Sequence, residues 1–409
     1  MSRARPTRAA ALLAVGLFAV TACTAAPDGD GSSSDGGVKT GNGVTGDTIT
    51  LLSLNDLSGP AAAGGKPIQA GFDAYLERVN ADGGIGGRQV VVKTVDTQYD
   101  PQKAVQLYQG NRNEIAALLS YGTPTTDAIR AFTSDDQVLA LGLKGPFPEK
   151  NSFSMATAVE VDTANLLTHV LEEDPDARIG AILQADAMGE AVKRGVDAVS
   201  DTVGVELVAE TSADSTSQEL TAQVTAMRKA GADHILLGMG PGGLLATAGA
   251  LSSLNYDAQI LSPGVAYTKS LMELPIAATL EEQLLSTCSY PLWDQESEGN
   301  TEFKEALDPS LPAHGSYVNG WLAAKVLLTF VENAIEQGDA TPAGIIEAAQ
   351  GSTVDTLGLT PNMTFGESID ERTAYRQTQL CTVSNDADDG FTLAKGWFES
   401  EAGNAVKLQ

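Results

Sequence analysis

The feature that most constrains this chain is a repeated alternation of short apolar strands and longer helical segments. One run of this alternation covers residues 48–143, and a second covers residues 177–262. Strands that alternate with helices form parallel sheets with helices on both faces. The sequence therefore predicts an α/β fold of two doubly wound parallel-sheet lobes, and its 409 residues are enough for about two or three domains.

The individual elements are predicted from hydrophobic periodicity, which is near two residues in strands and near 3.6 in helices. Strands are expected at residues 49–54, 89–96, 115–120, 138–143, 177–184, 205–211, 233–238, 259–262, 378–383 and 391–397. Helices are expected at residues 69–80, 101–111, from 127 onward, 188–203, 220–231, 244–255, 301–307, 316–337 and 341–351. Both lobes would thus be built from the same βα unit.

The net charge argues against several classes of partner. The chain has 53 Asp and Glu residues against 25 Lys and Arg residues, which gives a formal net charge of −28. A nucleic acid needs a basic surface that neutralises its phosphates, and an anionic membrane surface needs a polybasic patch. We therefore expect no nucleic-acid partner and no electrostatic binding to a membrane.

The N-terminus has the pattern of an export signal. Three arginines precede an apolar stretch at residues 9–20, which is shorter than the ~20 residues that span a bilayer. The sequence Val-Thr-Ala-Cys at residues 20–23 then resembles a bacterial lipobox, in which the cysteine is lipidated. Residues 1–22 are predicted to be a signal peptide, and the alternative is an ordinary cleavage near Ala22 or Ala26.

The segment after the signal, residues 23–46, is rich in Gly, Ser and Asp. Such a composition has little to bury and typically forms a flexible linker. A lipidated Cys23 followed by a linker would hold a globular body on the outer face of the bacterial cell membrane. The lipid anchor would then be the membrane contact of an extracytoplasmic protein.

Cysteine and histidine usage argues against a metal centre. Apart from Cys23, the chain has Cys288 and Cys381, and export permits a disulfide between them, with two buried free thiols as the alternative. There is no Cys-x-x-Cys motif, and the three histidines are scattered along the sequence. We therefore expect no metal and no cofactor.

A dense and ordered set of motifs lies between residues 48 and 105. It consists of Leu57-Ser58-Gly59-Pro60, Gly71-Phe72, the segment VNADGGIGGR at 79–88, Asp96, Asp100-Pro101 and Ala104-Val105. This set resembles the leucine/isoleucine/valine-binding family of extracytoplasmic solute-binding proteins, the receptors of ABC importers, in its lipoprotein form. Weaker similarity continues through the second run to residue 365.

The resemblance implies a type I periplasmic-binding fold, in which two lobes are joined by three hinge crossovers around a ligand cleft. Lobe 1 would comprise residues 47–157 and 288–356, and lobe 2 would comprise residues 158–287 and 357–405. The protein, expected to be a monomer and not an enzyme, would close on its ligand by a hinge motion and deliver it to an ABC permease. The alternative is a ligand-sensing receptor of the same fold that acts in signalling or regulation.

Candidate ligand-binding residues lie in the loops that follow the strands, because open parallel sheets bind ligands beyond the carboxyl ends of their strands. In lobe 1 they are Ser58, Gly64, Gly122, Thr123, Thr125, Leu143, Lys144 and Gly145, and in lobe 2 they are Asp186, Met188, Gly240 and Gly243. The resemblance implies that the loop at 122–126 holds a carboxylate of the ligand. This fits a helix start, where free N–H groups favour an anion.

Some of these residues have a structural alternative. The alternative for Thr125 is helix capping, and that for Lys144 is a solvated position on the cleft rim instead of pairing with an anion. Met188 is either an adaptable wall of the pocket or a buried residue at a helix start. Relatives often have an aromatic residue where Gly64 stands, so glycine there would enlarge the pocket.

The loop at residues 238–243 matches the pattern G-x-G-x-x-G, which on its own indicates a dinucleotide site. Its position in the third βα unit and Pro241, which lacks an N–H donor, favour an ordinary cleft loop instead. In relatives an acidic residue near the position of Gly243 pairs with the ligand's ammonium, and this loop has none. An α-amino acid ligand would then need Asp186 or another residue as its partner, because a buried ammonium requires one.

The sequence leaves three ligand classes open: an aliphatic amino acid, an amide or urea, and a small carboxylic acid. It contains neither a G-x-S-x-G nucleophile motif nor a Walker A phosphate loop. A solute-binding function is therefore favoured over an exported enzyme.

Overall fold

The computed structural model of the chain describes residues 33–35, 37–264, 266–288 and 290–409. Cys23 and the predicted signal peptide lie outside the described residues. The strands are β1 (Ser33–Asp35), β2 (Val38–Thr40), β3 (Thr48–Asn55), β4 (Gln89–Asp96), β5 (Ala117–Ser120), β6 (Leu139–Gly142), β7 (Ser152–Ser154), β8 (Ile179–Gln184), β9 (Ala209–Ala213), β10 (His234–Gly238), β11 (Gln259–Ser262), β12 (Leu284–Thr287), β13 (Asp339–Ala340), β14 (Thr353–Val354), β15 (Met363–Thr364), β16 (Thr378–Val383) and β17 (Phe391–Phe398). The α-helices are α1 (Ala62–Ala81), α2 (Pro101–Asn111), α3 (Thr123–Asp135), α4 (Val159–Glu173), α5 (Ala187–Val203), α6 (Thr221–Ala230), α7 (Pro241–Leu254), α8 (Ala277–Gln283), α9 (Glu298–Ala306), α10 (Ser316–Glu336), α11 (Pro342–Ala349) and α12 (Glu401–Ala405). Short 3-10 helices occur at Arg112–Glu114, Lys269–Glu273 and Ile369–Glu371.

Lobe 1 is built on a five-stranded parallel sheet in the order β4-β3-β5-β6-β7. Successive side chains of a strand point to opposite faces, so adjacent leucines of β3 enter two different cores. Leu51 packs into a core shared with Trp321 of α10, on the face that α1, α10 and α11 cover. Leu52 packs into a core shared with Ile129 of α3, on the face that α2 and α3 cover.

Lobe 2 repeats this plan in the order β9-β8-β10-β11-β12, again with parallel pairing. Two antiparallel strands, β16 and β17, extend its sheet beyond β12 to make seven strands. Adjacent residues of β10 again serve opposite faces. Leu236 lies in the core beneath α4, α5 and α12, and Leu237 in the core beneath α6, α7 and α8. The two-lobed, doubly wound fold predicted from the sequence is confirmed.

Three segments connect the lobes, at residues 155–158, 288–297 and 372–377, and they are hydrogen-bonded to one another. The Thr157 hydroxyl in the first donates to the Gln377 carbonyl in the third, at 2.6 Å. The Gln379 amide, just past the third, donates to the Tyr290 carbonyl in the second, also at 2.6 Å. The three segments therefore form one hydrogen-bonded bundle at the junction of the lobes.

A disulfide lies at the same junction. Cys288 and Cys381 are bonded, with their Cα atoms 5.9 Å apart. This confirms the disulfide over two free thiols. The bridge spans 93 residues of sequence and so joins the point where the chain leaves lobe 2 to the point where it returns.

The prediction of a flexible linker over residues 23–46 is wrong for the residues from 38 onward, which are part of the folded body. Strand β2 pairs in parallel with β13, and β1 pairs with β2 in antiparallel fashion. Thr40 and Val44 are buried, with exposures of 1% and 3%. The partner strand comes from a distant part of the sequence, so local composition could not reveal this pairing.

The predicted boundary between residues 356 and 357 is also wrong. Met363 and Phe365 belong to the core of lobe 1, and the Phe365 ring lies 5.0 Å from that of Phe330 in α10. The chain therefore stays in lobe 1 until the third connecting segment. The boundaries predicted near 157 and 287 fall at the first two connecting segments.

Several elements differ from the predictions in their bounds, and the largest shifts are at two helix starts and one strand. Helix α1 begins at Ala62 instead of 69. Helix α3 begins at Thr123 instead of 127, because Pro124 is compatible with the first turn of a helix. Strand β9 covers Ala209–Ala213 instead of 205–211. Among the described residues, none of the helices is both long and apolar enough to cross a bilayer.

Candidate ligand-binding cleft

The strand order fixes where a ligand can bind. In a sheet of order 2-1-3-4-5, the crevice opens beside the first strand, where the connections diverge to opposite faces. In lobe 1 that crevice lies between β3 and β5, and in lobe 2 between β8 and β10. The loops after these four strands hold most of the candidate residues.

The two lobes meet at Lys144. Lys144 follows β6 of lobe 1, and its Nζ lies 2.6 Å from Oδ2 of Asp162 in α4 of lobe 2. The Lys144 side chain is 14% exposed and that of Asp162 is fully buried. Thr378, just past the third connecting segment, donates from its hydroxyl to Oδ1 of the same carboxylate at 2.7 Å. The Lys144 charge is therefore neutralised within the protein, and the side chain is not the solvated rim lysine of the alternative.

The neighbours of Lys144 in this loop contact the core of lobe 1 and the first connecting segment. Leu143 is half-buried and packs on the core of lobe 1. Gly145 has a left-handed backbone, and a Cβ placed on it would lie 3.9 Å from that of Ala158 in the first connecting segment. The loop after β6 is thus a contact between the lobes.

The loop after β3 is tied to the loop after β4. The Ser58 hydroxyl donates to Oδ2 of Asp96 at 2.6 Å and accepts from Nε2 of Gln98 at 3.0 Å. Its neighbour Asp56 is fully buried and accepts from the N–H groups of Gly59 and Ala61. Both side chains therefore shape the loop through bonds within lobe 1.

Gly64 does not leave an open pocket, contrary to the expectation that it enlarges the site. A Cβ on Gly64 would lie 2.6 Å from the Tyr121 hydroxyl, so the tyrosine occupies the space. Sequence reasoning did not include Tyr121. Its position directly after β5 is the signal that could have identified it.

The start of α3 combines an exposed and an inward-facing threonine. Thr123 is exposed in the first turn. Thr125 is fully buried, and its hydroxyl donates to the carbonyls of Tyr121 and Gly122 at 2.9 and 2.8 Å. The Thr125 hydroxyl therefore stabilises the helix start, which favours the capping alternative, and its contact with ligand stays a prediction.

Gly122 is needed for the shape of this turn. Its φ of +108° lies in a region that residues with a Cβ rarely adopt. A Cβ there would also lie 2.6 Å from the ring of Tyr99. Tyr99 itself has an unusual backbone conformation, with a φ of +59°. Its ring lies beside Gly122 at the start of α3.

In lobe 2, Asp186 is the N-cap of α5. Its carboxylate accepts from the N–H of Met188 at 3.0 Å and from Nε2 of Gln184 at 2.7 Å. Met188 is half-buried and packs on the lobe 2 core. Asp186 thus ends the loop after β8, and Met188 lies in the first turn of the helix that follows.

The glycines of the loop after β10 have different environments. A Cβ on Gly240 would meet no atom within 4 Å, whereas one on Gly243 would lie 2.5 Å from the Met239 side chain. Gly243 is buried. Gly243 lies in the first turn of α7 and packs inward against Met239, so its place in the lining of the site stays a prediction that this packing does not favour. Gly240 remains at the open side of the loop.

Other features lie away from these loops. Grooves of about 410 and 220 Å³ occur on lobe 2, one beside Leu292 and Phe391 and the other between His169 and His234, and none of the candidate residues lines them. Among the described residues, no three His, Cys, Asp or Glu side chains are grouped so that they could hold a metal ion.

Comparisons with known proteins agree with this architecture. A family model described as periplasmic binding protein matches residues 48–405. The Leu/Ile/Val-binding protein homolog 3 of Brucella melitensis biotype 1 is 24% identical over 341 residues, which cover 79% of this chain and 88% of that protein.

Solved structures extend the similarity in three dimensions. A fatty acid ABC transporter substrate-binding protein from Thermomonospora curvata has a TM-score of 0.81 at 27% identity, covering 91% of this chain and 98% of that one. A branched chain amino acid ABC transporter from Thermus thermophilus with bound valine has a TM-score of 0.72 at 16% identity, covering 88% of this chain and 98% of that one. The latter is a likeness of fold alone.

Proposed function

The chain belongs to the periplasmic binding protein family, and on that basis we propose that it is the substrate-binding lipoprotein of an ABC importer. It captures a small polar solute between its lobes and delivers it to a membrane permease. The observation that carries this proposal is the contact between the loop after β6 of lobe 1 and helix α4 of lobe 2, which the pair of Lys144 and Asp162 makes. A solute that binds there contacts both lobes.

Capture takes place by hinge closure. Open and closed forms are in equilibrium, and a ligand favours the closed form by the difference in its affinity for the two. A shift from 1:99 to 99:1 requires a difference of about 5.5 kcal/mol. A few hydrogen bonds to a charged ligand group, at about 1.5–3 kcal/mol each, supply this difference.

The solute is an amino acid, an amide or urea, or a small carboxylic acid. Similarity to the Leu/Ile/Val-binding protein homolog 3 of Brucella melitensis supports the first class. Similarity to the fatty acid transporter protein, at higher identity, supports the last. The missing acidic residue near Gly243 also supports the last.

A screen of these three classes by thermal unfolding tests the proposal. A ligand that binds only the native state raises the melting temperature. At a ligand concentration of 100 times its Kd, it adds about 2.7 kcal/mol to the free energy of unfolding. Thr123→Ala should weaken binding of that ligand in titration calorimetry and leave the unliganded melting temperature unchanged. Thr202→Ala, at an exposed threonine of α5, is the matched control. Equal affinities in both variants would remove Thr123 from the site.

The membrane anchor of this proposal is a lipid on Cys23. The tether from it would join the body at lobe 1, because β2 pairs with β13 beside α10. Incorporation of a labelled fatty acid into the protein should be lost in Cys23→Ala. Labelling that persists in this variant would exclude the anchor at Cys23.

A further inference from the structure

Three tyrosines lie beside the cleft, two in loops of lobe 1 and one in the second connecting segment. Tyr99, Tyr121 and Tyr290 are half-buried. Their rings are held by close neighbours: Tyr99 lies against Gly122, and the Tyr290 ring centre is 6.0 Å from the Lys144 ammonium. Across the described part of the chain, none of the three hydroxyls has a hydrogen-bond partner. They are therefore available to a bound molecule.

These hydroxyls are hydrogen-bond donors at neutral pH. Burial raises the pKa of Tyr121, and the proximity of Tyr290, Tyr99 and Asp56 raises it further. Burial also raises the pKa of Tyr99 and of Tyr290. All three phenols stay protonated, and a protonated phenol donates to an anion.

A buried hydroxyl on the lobe 2 side is also unsatisfied. Thr287, at the end of β12, is 1% exposed, and its Oγ1 has no partner among the residues described. A Cβ built on Gly264 would lie 2.5 Å from this oxygen and 3.3 Å from Lys144 Nζ. Thr287 therefore adds a further potential donor beside the point where the lobes meet, and a buried polar group of this kind indicates a missing partner.

The carboxylates near these donors are already occupied. Asp56 and Asp96 accept hydrogen bonds within the lobe 1 loops, and Asp186 caps α5. Asp162 is paired with Lys144 and accepts from Thr378. Each carboxylate thus already has partners, whereas the phenols do not.

The start of α3 adds backbone N–H donors to a region that already has more hydrogen-bond donors than unoccupied acceptors. Its N-cap is Gly122, which supplies no side-chain acceptor to the first turn. The positive end of the helix dipole therefore lies beside Tyr99 and Tyr121 without a capping oxygen of its own.

From this balance of donors and acceptors we infer that the cleft selects a monocarboxylate that has an apolar body and no ammonium group. The carboxylate accepts from the phenols and from the start of α3, and the tyrosine rings with Leu143 and Met188 cover the body. An ammonium would find no unoccupied carboxylate among these residues. The inference deepens the proposed function and rests on it.

The test uses ligand sets that share one body and differ in one group. Isothermal titration calorimetry on the full chain compares 4-methylpentanoate with its amide and with L-leucine, and 3-phenylpropanoate with its amide and with L-phenylalanine. We expect at least one acid to bind about tenfold or more tightly than its amide, which lacks the carboxylate charge of one such hydrogen bond. The same acid should bind more tightly than its amino acid, whose ammonium would be buried without a free partner.

Two tyrosine variants assign the effect to the site. Tyr121→Phe removes a hydroxyl and keeps the ring, so it should weaken binding of the acid about tenfold. Tyr75→Phe is the matched control, because Tyr75 is equally half-buried but packs edge-on against Trp321 in the body of lobe 1. Equal losses in both variants would overturn the assignment to the cleft.

The outcomes separate this inference from the proposed function. Tighter binding of an amino acid or an amide would overturn the carboxylate inference and leave a solute-binding protein. Binding of none of the six compounds would also overturn the inference. If, in addition, no compound of the wider three-class screen raised the melting temperature, the proposed function itself would fall.

Discussion

Lobe 1 and lobe 2 present the same strand order to the cleft, but their rims differ in chemistry. At the lobe 1 rim, α3 starts at Gly122 without a side-chain cap, and tyrosine hydroxyls lie beside it without partners among the described residues. At the lobe 2 rim, α5 is capped by Asp186, and the next loop presents Gly240. The shared topology thus brings loops to the same place, while single residues at the strand ends decide what each loop can bind.

This difference suggests a division of roles between the lobes. Under the proposed function, lobe 1 would supply most of the polar contacts to a ligand, and lobe 2 would supply small and apolar groups that cover it. The junction between the lobes is a third environment, in which the buried pair of Lys144 and Asp162 holds the loop after β6 against α4. Substitutions in the three regions should therefore have different consequences.

The largest effect is expected at the junction, from Asp162→Leu. This change removes the carboxylate that neutralises the buried Lys144 and accepts from Thr378. Breaking one side of a buried ion pair typically costs about 3–5 kcal/mol of unfolding free energy. Urea denaturation followed by circular dichroism measures the loss.

The double variant Lys144→Met with Asp162→Leu is the control for this prediction. It removes both charges, so it should recover most of the stability that the single variant loses. If the single variant lost less than about 1 kcal/mol, or the double variant were no more stable, the pair would not hold the lobes together in the way described.

The sequence predicted the lobes well where local signals agree. Strands β4, β11 and β16 match the expected residues, and α2 begins at Pro101, where Asp100 caps the first turn. Helix α4 was missed, because most of it from Glu160 to Val170 is buried, so its sequence lacks a one-sided apolar pattern. Periodicity alone does not identify a helix that is packed on both sides, and the equally buried α10 was predicted because its apolar segment is long.

The site was predicted at the level of loops and less well at the level of side chains. Topology alone places the loops of both lobes at the cleft. Which residues of a strand-end loop face the cleft depends on local geometry that the sequence pattern does not carry, and both Thr125 and Gly243 are buried in the first turns of their helices. Tyr99 was missed for the same reason, since its φ of +59° is unusual for a residue with a Cβ.

An intermediate effect is expected from the same substitution at the two rims. Gly122→Ala forces a Cβ into a backbone conformation with a φ of +108° and against the Tyr99 ring, at a cost of about 1–3 kcal/mol. Gly240→Ala should change stability by less than about 0.5 kcal/mol, because φ is −76° and a Cβ there meets no atom within 4 Å. Chemical denaturation of the two variants side by side measures the difference. Equal costs would mean that the rims are not as different as described.

The smallest effect separates the two roles that Asp186 could have. Asp186→Ala removes the side-chain cap of α5 and should lower the unfolding free energy by about 1 kcal/mol. Asp186→Ser keeps an oxygen that can accept from the Met188 N–H but removes the charge, so it should restore most of that stability. Because the carboxylate is already used in capping, neither variant should change ligand affinity more than severalfold in calorimetry. A loss of binding in Asp186→Ser with stability retained would instead show that lobe 2 holds a cationic group of the ligand, and the division of roles between the lobes would then be reversed.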